Sequence, residues 1–207
     1  MRSRRLETTN ATTATDNDFS LKTSIETLTL ADATNDFTLG TKAAAMGVLT
    51  VTGGTGVDTI TTEAGFTNNL TIVGGGAADV INVSASSGTL DYTGGAAADT
   101  ITGGAGAVTI TNAGDGDNVF NAGAGTFTIT LAGTGADDIN GGAGALIVTA
   151  SGDGIDNIAA GTGNVTVTDA GAGADVIAGG TGTLTVTDAG AGDDVITVST
   201  GVFDVSG

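Results

Sequence analysis

Large apolar residues return at fixed places along this chain, and the places repeat every 19 residues over its second half. With a recurrent acidic or amide residue as position zero, apolar side chains fall at +2, +9 and +11. The last two give the pairs Val108/Ile110, Phe127/Ile129, Leu146/Val148, Val165/Val167, Leu184/Val186 and Phe203/Val205. Threonine fills the intervening positions in Thr109/Thr111, Thr128/Thr130, Thr166/Thr168 and Thr185/Thr187, with Ile147/Thr149 as the exception. Alternation with period two predicts short β-strands, apolar on one face and hydroxylated on the other. Glycine pairs flank each strand and predict tight turns. Each repeat therefore reads as one coil of two short strands and two turns. No such strand buries a face alone, so successive coils must stack around a narrow aliphatic core.

The zero positions form a ladder: Asp58, Asp79, Asp99, Asn118, Asp137, Asp156, Asp175 and Asp194. Its steps are 21, 20 and then 19 residues throughout. Ile or Phe follows each rung by two residues, from Ile60 to Ile196 with Phe120 at the fourth rung. Register selects Asn118 rather than Asp117 as that rung, with Asp115 and Asp117 close enough to restore charge there. The fold class predicted is all-β, a parallel β-solenoid or β-roll of about 19 residues per coil. Three segments are expected: a flexible polar arm over 1–18, irregular coils or a cap over 19–52, and the regular array over 53–207. Eight coils at about 4.8 Å each make a rod roughly 40 Å long.

Composition sharpens this. The chain has 207 residues, 37 of them glycine, and no Pro, Cys, His or Trp. Glycine at this level without proline or a three-residue period excludes collagen, and the fixed apolar period argues against disorder. All five cations, Arg2, Arg4, Arg5, Lys22 and Lys42, precede residue 43, after which seventeen acids stand unopposed. Such a body repels nucleic acid and anionic membrane and attracts cations. No stretch reaches membrane-spanning length and no secretory signal is evident. Without cysteine the redox compartment is not readable.

GGTGVDTIT at 53–61 fits the nonapeptide G-G-x-G-x-D-x-U-x letter for letter, where U is large and apolar. GGAAADTIT at 94–102, GTGADDIN at 133–140, GDGIDNIA at 152–159, GAGADVIA at 171–178 and GAGDDVIT at 190–197 depart from it slightly. The chain thus resembles the repeats-in-toxin (RTX) group over about three-quarters of its length. The resemblance implies a right-handed parallel β-roll with calcium between turns, several ions along one edge. The ligands it implies are the eight rungs, with carbonyls of Gly54, Gly56, Gly75, Gly133, Gly135, Gly152, Gly154, Gly171, Gly173, Gly190 and Gly192. Alternate half-units such as GGAGAVTIT at 103–111 and GGTGTLTVT at 179–187 replace the carboxylate by Val or Leu. The opposite edge is then metal-free, a layout more similar to 19-residue repeats of bacterial surface-layer and adhesin proteins.

Physical chemistry independently favours a cation on this edge. Carboxylates stacked about 4.8 Å apart repel by roughly 1 kcal/mol per pair even at the dielectric of water. Calcium accepts about six to eight oxygens in flexible geometry, whereas zinc and copper want His or Cys. The competing reading is that each Asp caps its own turn through its backbone. Asp169 and Asp188, just past two threonine pairs, are expected as solvated charge or accessory ligands.

The expected function is a calcium-binding structural solenoid of an extracellular or bacterial cell-surface protein, folding or stiffening on calcium binding. End-to-end self-association into a filament or surface-layer lattice is the alternative, since the closing VFDVSG carries no charged cap. The threonine rows raise a further reading, ice binding, interrupted at Ile147 and ended by Asp204 and Ser206. No enzyme is expected: identical surroundings at every rung cannot hold a carboxylate pair in different protonation states. The array also lacks Lys, Arg, His and Cys.

Overall fold

The computed structural model describes residues 4–20, 24–130 and 133–205. Arg2, Lys22 and Ser206, singled out above, lie outside the described residues. Two parallel sheets of eleven and ten strands face one another, and successive strands alternate between them. The architecture is a parallel β-solenoid of about ten coils with two strands per coil. It agrees with the sequence reading, although the coils outnumber the eight expected, giving a rod of roughly 50 Å at about 4.8 Å per coil.

The additional coils come from the N-terminal segments. Strands Arg4–Glu7 and Thr12–Ala14 pair in parallel with Ile25–Thr29 and Asn35–Leu39. Residues 4–18, expected as a flexible arm, therefore form a first coil of the same two sheets. Both sheets also run through residue 52 without interruption. The early coils differ most at one turn. There the 3-10 turn Asp16–Phe19 and the short helix Thr41–Met46 bury Phe19, Ala43 and Met46. The Asp16 carboxylate accepts the N–H groups of Gly40 at 2.8 Å and Ala43 at 2.9 Å, and so closes the helix start. These insertions lengthen the coils before Asp58, where the in-register partners Thr12 and Asn35, and Asn35 and Asp58, lie 23 residues apart.

Each coil sends four columns of side chains inward. The first sheet, with strands such as Val108–Asn112 and Phe127–Ile129, contributes the +9 and +11 columns, buried from Val108 and Ile110 to Leu184 and Val186. The second sheet, with strands such as Thr100–Thr102 and Val119–Asn121, contributes the column Ile60, Ile81, Ile101, Phe120, Ile139, Ile158 and Ile177. Facing apolar columns give the stack its hydrophobic drive. The fourth inward column is the ladder.

Candidate metal centre

The rungs from Asp58 to Asp175 are buried, each at 0–1 % exposure, while Asp194 is half-buried. The sequence reading set these carboxylates along one edge of the stack, and the structure turns them into the core. Asp and Ile stand two residues apart at the start of one strand, so both point inward. The rungs form a polar column inside a largely apolar core.

The carboxylates bind coil to coil. The N–H of Asp58 donates to Asp79 Oδ1, that of Asp79 to Asp99 Oδ1 and that of Asp99 to Asn118 Oδ1, each at 2.8 Å. The series continues through Asn118 to Asp137 at 2.7 Å, Asp137 to Asp156 and Asp156 to Asp175 at 2.8 Å, and Asp175 to Asp194 at 3.0 Å. Each rung amide thus finds its acceptor in the next coil's side chain rather than in its own turn. Asn35 belongs to the same column: it pairs in register with Asp58 and donates to Asp58 Oδ1 at 2.7 Å. The sequence signal was Phe37, two residues on, but Ala31–Thr34 lack the glycines that marked the other rungs.

The second oxygen tells a different story. Oδ2 of Asp58, Asp79, Asp137, Asp156 and Asp175 is buried with no hydrogen-bond partner. Burial pushes the Asp79 and Asp137 carboxyls up to about 7 and Asp156 to about 6, and it raises Asp58, Asp99 and Asp175 as well. Two rungs escape the deficit. Asp99 Oδ2 accepts the Tyr92 hydroxyl at 2.7 Å, and the Asn118 amide donates to the Gly116 carbonyl at 2.7 Å.

The glycine turns lie against this column. At the first rungs a Cβ on Gly53, Gly74 or Gly94 would fall 2.5–2.6 Å from the Oδ2 of Asp58, Asp79 or Asp99. Four residues before the rungs, Gly75, Gly114, Gly133, Gly152, Gly171 and Gly190 adopt positive φ. The Gly95 carbonyl oxygen points at Gly114, within 1.3 Å of where its Cβ would be, and Gly114, Gly133 and Gly152 repeat the pattern toward the following coil. Gly116, Gly135, Gly154 and Gly173 form a second such row, two residues before the rungs. These carbonyls therefore point along the rod axis, between coils. Those of Gly133, Gly152 and Gly171 each accept one coil-to-coil N–H, at 3.1, 3.1 and 2.8 Å, and keep a second lone pair.

This donor set fits a hard cation: oxygen only, with a bare buried carboxylate oxygen beside rows of axial carbonyls. Among the described residues no three acidic side chains converge on one point. An ion here would draw mainly on turn carbonyls, with one carboxylate oxygen per rung. Asp169 and Asp188 are exposed and accept the N–H of Gly171 at 2.8 Å and Gly190 at 2.9 Å, capping their own turns. Asp117, beside the Asn118 rung, is exposed and accepts the Ala136 N–H at 2.9 Å.

The outward face of the first sheet carries a threonine column, Thr27, Thr50, Thr71, Thr109, Thr128, Thr166 and Thr185, broken by Asp91 and Ile147. It extends further toward the N-terminus than the rows read from the sequence.

A model of the RTX calcium-binding nonapeptide repeat matches in four copies, at residues 50–66, 93–126 and 151–183. No curated protein and no solved structure matches the chain. Together the repeats and the parallel solenoid with turns of about 19 residues fit an RTX-like repeat protein.

Proposed function

We propose that this chain is a calcium-binding structural β-solenoid of a bacterial cell-surface or extracellular protein, stiffened along the rung column by the ion. The observation that carries this is the row of buried, unpartnered Oδ2 atoms on Asp58, Asp79, Asp137, Asp156 and Asp175. A buried polar atom without a partner costs about 1–3 kcal/mol, more when charged, so several in one small protein call for an occupant. The holders would be these oxygens with axial carbonyls such as those of Gly54, Gly75, Gly133, Gly135, Gly152, Gly154, Gly171 and Gly173. Calcium supplies the positive charge and the tolerance for irregular oxygen shells that such a column requires. RTX repeats are typical of secreted and surface proteins, where calcium is plentiful, which supports the localisation. RTX-repeat solenoids are generally structural rather than catalytic, which supports a structural role.

Thermal melting followed by circular dichroism, with millimolar calcium and then with chelator, tests the reading. The melting temperature is expected to fall by about 10 °C or more, roughly 3–5 kcal/mol, when calcium is removed. Equal melting in both conditions would sink it.

End-to-end self-association remains the second reading. Arg5 and Asp204 occupy the same outward column at the two ends of the described stack, and Val195, Val202 and Phe203 are exposed beside the latter. Light scattering in calcium separates fibres from single rods.

A further inference from the structure

We propose that the seam is divided into two separate cation-binding runs, Asp58–Asp79 and Asp137–Asp156–Asp175, by a cation-free lock built from Tyr92, Asp99 and Asn118. The division rests on the calcium reading above and says where in the column that reading applies.

The unpartnered oxygens are not spread evenly. They fall on two consecutive rungs, skip two, and resume on three more. The skipped rungs are satisfied by this chain's own atoms. Tyr92, fully buried, belongs to the inward column that holds Ile72 before it and Ile110 after it. Those neighbours offer no donor, whereas the Tyr92 hydroxyl crosses the core to Asp99 Oδ2 at 2.7 Å. Glycine makes the crossing possible: a Cβ on Gly74 would lie 2.6 Å from that hydroxyl.

Asn118 completes the lock from the other side. Its Oδ1 takes the Asp99 N–H at 2.8 Å, as any rung would. Its Nδ2 donates to the Gly116 carbonyl at 2.7 Å, one of the axial carbonyls that serves the seam in other coils. An N–H thus stands where the other rungs present a bare oxygen, and it repels a cation while using up a ligand. A neutral amide also removes the buried carboxylate that would otherwise stand between Asp99 and Asp137. These two coils stack without metal, and loading of one run ends at them.

Calcium counting by equilibrium dialysis, paired with hydrogen exchange on the full chain, tests the division. In the wild type, protection gained across residues 50–82 and across 133–197 is expected at separable calcium concentrations. Asp156→Asn is expected to abolish the gain in the second stretch and leave the first within about twofold. Asn118→Asp should add about one bound ion per chain and merge the two phases, since it restores a carboxylate oxygen at the break. Tyr92→Phe serves if that variant fails to fold, because it bares Asp99 Oδ2 and should likewise raise the count. Equal loss in both stretches on Asp156→Asn, or an unchanged ion count in both Asn118→Asp and Tyr92→Phe, overturns the division. A wild type that binds no calcium removes the underlying reading and the division with it. That outcome is told apart by the wild-type arm alone.

Discussion

A rung aspartate works with its two oxygens on different terms. Oδ1 closes a hydrogen bond to the preceding coil, and Oδ2 is bare in five of the eight rungs. Without a cation the cheaper state of such a group is protonated, which is why burial lifts Asp79 and Asp137 to about 7 and Asp156 to about 6. These values stand above the ordinary aspartate value of about 3.9 in the unfolded chain. The carboxyls are therefore neutral in both states below about pH 4; above it the unfolded chain ionises first, so stability falls until the folded rungs ionise at about 6 to 7. In chelator the melting temperature is expected to be highest near pH 4 and to reach a low plateau by pH 8, with calcium flattening the profile. A flat profile in chelator would mean the rungs are not buried as described. The sequence placed the rungs on one edge of the stack and did not read them as buried. D-x-I spacing already contained the answer, because residues two apart in a strand share a face. Tyr92 was invisible as a partner because its hydrogen bond to Asp99 depends on the space above Gly74, which no spacing rule encodes.

At the scale of the coil, the strands were legible and the turns only partly so. The strands follow from alternation, and their register follows from the 19-residue step. The early turns depart because Asp16 organises a helix start 24 residues downstream in sequence, a contact without a periodic signature. The glycines of the regular turns are not interchangeable. Gly114 has φ of 95°, and an added Cβ would lie 1.3 Å from the Gly95 carbonyl oxygen. Gly76, two coils earlier, meets nothing nearer than 3.9 Å. Gly114→Ala should therefore lose about 2–4 kcal/mol of stability in denaturant unfolding, and Gly76→Ala less than about 0.5 kcal/mol. Similar losses in both would mean that stacking distance does not decide glycine use here.

For the whole molecule, four inward columns must stay aligned from coil to coil, and only a complete repeat preserves them. Removing residues 137–155 brings Asp156 to the place of Asp137 and keeps the 19-residue step after Asn118. That shortened chain is expected to fold, with a rod about 4.8 Å shorter and a modestly lower melting temperature. Removing residues 137–156 instead puts Asn157 at the rung and turns Ile158 outward, and it should melt far lower or not fold. Circular dichroism melting of the pair checks this, and equal stability would contradict strict register. Seen from the gene, the same register makes length a heritable count. A gain or loss of one whole 19-residue unit would keep every inward column in register, so the rod can change length link by link, as a chain does.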